Sequence, residues 1–208
     1  MTLRLTNKVA PSAPAAGKLA IIANSTSKRV QTVDENGFKR TLGYVNFSTA
    51  QQAFTAATRA YLTGSNIAIP AGALQIGTMF RWTFDLTKTG AGTAASTFDI
   101  CFGTAGTTAD TARVSFTKPA GTAVADAGII VITCVIRGPI SASGVAVGHF
   151  TMTHNLAATG HAIIPVVDVT TVSAAFDVTL PTNVGVCVTT GTADVCTTEL
   201  VLAEAWNL

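Results

Sequence analysis

Charge is the scarcest property of this 208-residue chain: Asp, Glu, Lys and Arg together make up 12% of it, while apolar residues make up 48%. That charged share is about half of what soluble domains usually carry. With a mean hydropathy of +0.45, much of the surface is expected to be covered by protein rather than water. Long apolar runs are missing too. The longest, at 127–136, is broken by Gly128 and Thr133 and falls short of the roughly 20 residues of a spanning helix. The first residues lack the apolar core and cleavage site of a signal peptide. The expectation is a protein that neither spans a membrane nor carries a secretion signal.

Chemical motifs are equally sparse. The four cysteines, Cys101, Cys134, Cys187 and Cys196, form no C-x-x-C pair, so they read as small apolar core residues. A Cys187–Cys196 bridge across a hairpin stays open, since sequence does not fix Cβ separation. There is no Gly-x-Ser-x-Gly elbow and no phosphate-loop lysine. Asp85 and Asp99 alternate with apolar residues and are expected to face outward near Arg81 or Lys88, as cross-strand ion pairs rather than a glycosidase pair. His149, His154 and His161 fall close together. However, His149 and His154 differ by an odd number and point to opposite faces of a continuous strand, and no Asp or Glu occurs between His149 and Asp168. No metal site, cofactor or active site is expected.

The charges that exist are unevenly placed. Residues 1–43 carry Arg4, Lys8, Lys18, Lys28, Arg29, Lys39 and Arg40 against Asp34 and Glu35, a balance of +5; residues 44–208 carry a balance of −3. The first segment also holds Pro11-Ser-Ala-Pro14-Ala-Ala-Gly17, which neither a helix interior nor a central strand accepts. Lys18–Ala23 and Arg29–Val33 read as two short strands of a small hairpin. This segment has too few large apolar residues for a core, so 1–43 is read as an extended basic arm. With no aromatic residue before Phe38, base stacking is unsupported, and docking on an acidic protein surface is favoured over nucleic acid.

Residues 44–65 form a connector. Alanine content permits a helix there, whereas the threonines suit an extended chain, and the extended reading is taken. From residue 66 the period is two. Phe80, Trp82, Phe84 and Leu86 alternate with polar residues, as do Phe98, Ile100 and Phe102. The continuous β-branched run 129–136 reads as a central strand buried on both faces. Further strands are expected at 114–116, 145–152, 161–169, 175–180, 183–188 and 200–206. Gly, Pro, Thr and Asp clusters punctuate them, giving an antiparallel β-sandwich over 66–208. Between Gly138 and Val167 no charged residue occurs, as at subunit interfaces, so self-association is expected.

A resemblance accompanies these patterns. Pro11–Ile22 followed by Val33-Asp-Glu-Asn-Gly-Phe-Lys-Arg-Thr-Leu-Gly43 is similar to a segment of bacteriophage fibre and decoration proteins. Tyr61–Pro70, Gly77–Lys88 and Ala94–Ile100 resemble the jelly-roll, tumour-necrosis-factor-like domain of phage-particle proteins. The resemblance implies an all-β protein of the virion whose jelly-roll domain forms a homotrimer while the arm docks on the major capsid protein or another virion protein. A capsid decoration protein or head fibre is the leading expectation. A tail fibre or tail-tip protein binding a host receptor or glycan is the alternative, and a glycan-processing enzyme ranks last. The resemblance carries no catalytic residues.

Overall fold

The computed structural model describes residues 7–8, 20–24, 30–33, 39–41, 44–55, 57–164 and 166–208. Every regular element among them is a strand, and no helix is long and apolar enough to cross a membrane. In the N-terminal segment β1 (Asn7–Lys8), β2 (Ala20–Asn24), β3 (Val30–Val33) and β4 (Lys39–Thr41) form one sheet in that order. The predicted hairpin is present as the antiparallel β2–β3 pair, and β4 extends it antiparallel while β1 joins β2 parallel.

The rest of the chain is a jelly-roll-type sandwich of two antiparallel sheets. Its strands are β5 (Tyr44–Ser48), β6 (Gln52–Phe54), β7 (Arg59–Tyr61), β8 (Ile67–Ile69), β9 (Met79–Lys88), β10 (Ser96–Gly103), β11 (Thr111–Lys118), β12 (Asp126–Ile136), β13 (Ala146–His154), β14 (Val166–Val172), β15 (Thr182–Thr189), β16 (Cys196–Thr198) and β17 (Val201–Trp206). The five-stranded sheet runs β11-β10-β15, with β7 and β8 sharing the outer edge of β15. The eight-stranded sheet runs β14-β13-β12-β9. Beyond β9 it divides: one half of β9 pairs β16, backed by β6, and the other pairs β17, backed by β5. The connector segment is extended at 44–48, 52–54 and 59–61, and these strands pair within the two sandwich sheets.

The period-two pattern explains the core. Phe80, Trp82, Phe84 and Leu86 of β9 meet Phe98, Ile100 and Phe102 of β10 across the sheets, all at most 5% exposed. Phe150 packs tilted against Phe98 and stacked on Phe116, with centroids 5.0 and 5.7 Å away, a spacing typical of favourable aromatic pairs. Where a polar group enters the core, it is bonded. Trp82 Nε1 donates to the Ser65 carbonyl at 2.8 Å, and the Ser65 hydroxyl accepts the Val186 amide at 3.0 Å, tying one sheet to the other. Gly64 makes this approach feasible: at φ +88° any Cβ would stand 2.5 Å from the Ser48 amide nitrogen, a position only glycine accepts.

Three strand expectations change. Strand β12 is central, between β9 and β13, but only one of its faces is buried. Its outward side chains alternate with the core, and Ile129 is 54% exposed. The strand expected at 161–169 begins at Val166, because 161–164 serves a loop that folds over the sandwich end. No strand forms at 175–180. An isolated bridge between Gly144 and Phe176, with the Val178 amide donating to the Ser141 carbonyl and the Thr179 carbonyl accepting the Gly72 amide, holds that segment, while Phe176 and Val178 still fill the core. Burial alone produced the apolar spacing there.

Candidate functional site

The register of the eight-stranded sheet arranges its outer face in rows. Trp206, Met79, Val135, Val147 and Val172 are consecutive partners across β17, β9, β12, β13 and β14. All five are apolar and point away from the core; four are partly exposed and Val172 is 51% exposed. The next row is polar, Glu204–Arg81–Thr133–His149–Thr170. At the rim, His149 Nε2 lies 2.8 Å from Asp168 Oδ1, and its Nδ1 lies 2.9 Å from Thr170 Oγ1. Farther along, Asp85, Ile129, Thr153 and Asn155 border an open groove of ≈ 480 Å³.

The outer face of the five-stranded sheet is polar. Arg59 on β7 reaches across it, donating through Nε to Asp99 Oδ2 at 3.2 Å, through Nη1 to the Thr108 carbonyl at 2.6 Å, and toward Cys101 Sγ at 3.0 Å. Asp99 also accepts Ser115 Oγ at 2.7 Å. Asp110 folds the β10–β11 loop by accepting the amides of Ala105 and Gly106. Burial pushes the Tyr61 phenol above its usual range. Tyr61, Asn66, Thr107 and Thr108 border a second groove of ≈ 370 Å³.

The loop end of the sandwich is held by buried charge. Lys88 Nζ donates to the carbonyls of Gly92, Thr122 and Gly160 and faces Asp194 Oδ1 at 3.6 Å. Lys118 Nζ donates to the carbonyls of Pro119 and His161, and burial lowers its ammonium pKa. Asp126 accepts His154 Nδ1 at 2.7 Å and the His161 amide at 3.1 Å. Burial works against its ionisation, but these bonds outweigh it and hold the carboxyl below its ordinary value. His161 donates Nε2–H to the Leu86 carbonyl at 3.0 Å and keeps Nδ1 without a partner. Burial drives its pKa down to about 4, so the ring is neutral. Five backbone carbonyls from three loops converge on two ammonium groups, the inverse of an anion site.

Several sequence expectations move accordingly. Asp85 pairs with neither Arg81 nor Lys88; it accepts the amides of Glu199 and Leu200 and so shapes the β16–β17 turn. Asp99 belongs to Arg59. Lys88 is buried because its strand ends under the loops, which a strand pattern read alone does not show. All four cysteines are free and buried. Cys196 sits in the eight-stranded sheet, whereas Cys187 sits in the other and hydrogen-bonds Cys101, which that bond and burial push upward in pKa. A Cys187–Cys196 bridge is thereby corrected. His149 and His154 do face opposite ways, and no His, Cys, Asp or Glu cluster suited to a metal occurs among the described residues. Of the basic arm, Lys8 lies on β1 and Lys39 and Arg40 on β4; Arg4, Lys18, Lys28 and Arg29 lie outside the described residues.

No protein-family model matches the chain, and no curated protein does. Among solved structures, the chain is similar to the CBM2 module of the evolved Dit of Lactobacillus casei BL23 phage J-1 (9% identity, 80% of this chain and 97% of that one, TM-score 0.32). It is also similar to the alginate lyase Aly36B in complex with an alginate trisaccharide (11%, 89% and 87%, TM-score 0.35). A lectin from Bauhinia forficata in complex with GalNAc is a third such structure (14%, 91% and 92%, TM-score 0.32).

Proposed function

We propose that this chain is a non-enzymatic structural protein of a bacteriophage particle, a capsid decoration protein or head fibre. Its basic N-terminal segment docks on the shell, and its sandwich associates with copies of itself. The observation that carries this reading is the apolar row Trp206–Met79–Val135–Val147–Val172 on the outward face of the eight-stranded sheet. A row of that kind belongs against protein. Charge supports the division of labour: +5 over residues 1–43 against −3 over the rest gives the arm an attraction for acidic protein surface that the sandwich lacks. Incubating particles that lack this protein with the whole chain and with a version lacking residues 1–43 tests the reading. The whole chain binds and the shortened one stays in solution as a folded oligomer. Equal binding by both sinks the docking role of the arm.

A second reading, a tail fibre or tail-tip protein that binds a host glycan, has one observation in its favour. The groove beside Tyr61 and Asn66 offers a ring and amide groups, the chemistry that sugars use. Binding of the purified protein to host cells, abolished by Tyr61→Ala, would favour it over the first.

A further inference from the structure

We propose that the apolar belt on the outer face of the eight-stranded sheet is where one copy of this chain meets another. This inference rests on the self-association reading above and gives that association a surface.

The central strand supplies the first argument. The outward positions of β12 are Ala127, Ile129, Val131, Thr133 and Val135, four of them apolar. Solvated sheet faces alternate apolar-in with polar-out. Here β12 carries the composition of a strand covered on both sides, yet the single chain covers only one. A partner laid over the face supplies the missing layer.

Size supplies the second. The belt is five strands wide and continues past its end into Ile76, 64% exposed, and Ile140, 38% exposed. Five strands about 4.8 Å apart span roughly 20 Å, and one row of same-face side chains is about 7 Å deep, so the belt covers on the order of 130 Å² in projection. Accessible area exceeds projected area, and a standard interface buries roughly 800 Å² per partner. The belt is thus the apolar centre of a contact, and the neighbouring rows of the same face, with the outward Ala127, Ile129 and Val131 of β12, supply the larger part of its area.

The rim supplies the third and identifies the occupant. Glu204 lies beside Arg81 in register, Asp168 beside His149, and the exposed Arg137 comes just past the end of β12. Both signs alternate around the belt, so no field of one sign selects a polyanion or an anionic lipid surface. A second copy presents the same mixture and the same apolar centre, as a symmetric contact requires.

The test uses native mass and intrinsic fluorescence. Trp206 lies in the belt, whereas Trp82 is wholly buried and hydrogen-bonded, so dilution of the whole chain should red-shift emission as its mass falls. Val147→Glu points outward and places a charge mid-belt. It should weaken association by at least about tenfold, as loss of a central contact does, while Thr117→Glu on the exposed face of the other sheet leaves mass unchanged. If Val147→Glu impairs folding, Val172→Lys on β14 and the wild-type fluorescence shift carry the same test. A folded Val147→Glu protein with unchanged oligomer mass overturns this surface and leaves self-association standing. A wild-type chain that is monomeric throughout the dilution series overturns both.

Discussion

Lys88 and Asp194 face each other at 3.6 Å with 2% of each side chain exposed. The ammonium also holds three loop carbonyls. Losing one partner of a buried pair costs roughly 3–5 kcal/mol. Lys88→Met should lower unfolding stability by that order, since it leaves Asp194 and the carbonyls unpaired. Chemical denaturation compares it with wild type; a loss below about 1 kcal/mol would show the loops are held by other contacts.

Acid should weaken the fold through His161. Its pKa is about 4 in the folded chain and about 6.5 when unfolded. Below pH 6.5 the unfolded chain takes up a proton that the folded chain refuses. Stability therefore falls by about 1.4 kcal/mol per pH unit until pH approaches the folded value. Asp126, held low, adds its own loss at still lower pH. Denaturation midpoints measured from pH 7 to 4.5 should show this slope, and His161→Gln should flatten it. An equal slope in the variant assigns the effect elsewhere.

Gly148 on β13 faces β10 and β11 of the other sheet. A Cβ there would stand 2.6 Å from Phe116 Cζ and 2.7 Å from Val114 Cγ1. Gly148→Ala should destabilise by about 1–3 kcal/mol, the usual range for overpacking. Thermal unfolding checks this; an unchanged midpoint means the aromatic layer yields freely.

Thiol reactivity should report unfolding. The four free cysteines are all buried, and burial pushes Cys196 up to about 11 and Cys134 up to about 12. The hydrogen bond from Cys101 instead holds Cys187 below its ordinary value, so its protection rests on burial, while the raised thiols carry little thiolate at neutral pH. An aromatic disulfide reagent should modify none of them in the native protein and all of them in denaturant. Rapid modification of the native chain is the contrary result.

Much of the sandwich was legible because burial on one sheet face imposes a period of two, and Phe80–Leu86 and Phe98–Phe102 follow it without interruption. The segment 175–180 misled for the same reason: Phe176 and Val178 are spaced by burial against the core without a partner strand. The run at 129–136 was right about position and wrong about burial, since composition records what covers a strand without saying whether this chain or another covers it. Long-range pairings were out of reach. Nothing local to Lys88 distinguishes it from an exposed lysine; its carbonyl partners come from loops 4 to 72 residues away. Likewise Cys187 and Cys101 meet only because β10 and β15 are neighbours, so proximity in sequence pointed to Cys196 instead.

The split beyond β9 has a kinetic consequence. Strand β17 pairs both with β9 and with β5, Val201 lying opposite Phe84 and Ser48. Joining β5 to β17 closes a loop of about 150 residues, and the entropy of that closure is met before its contacts form. Topologies dominated by such distant pairings fold slowly. Until β17 arrives, β5 and half of β9 present open backbone edges, so concentrated refolding favours mispairing between chains, and slow dilution or low temperature favours recovery of the native sandwich.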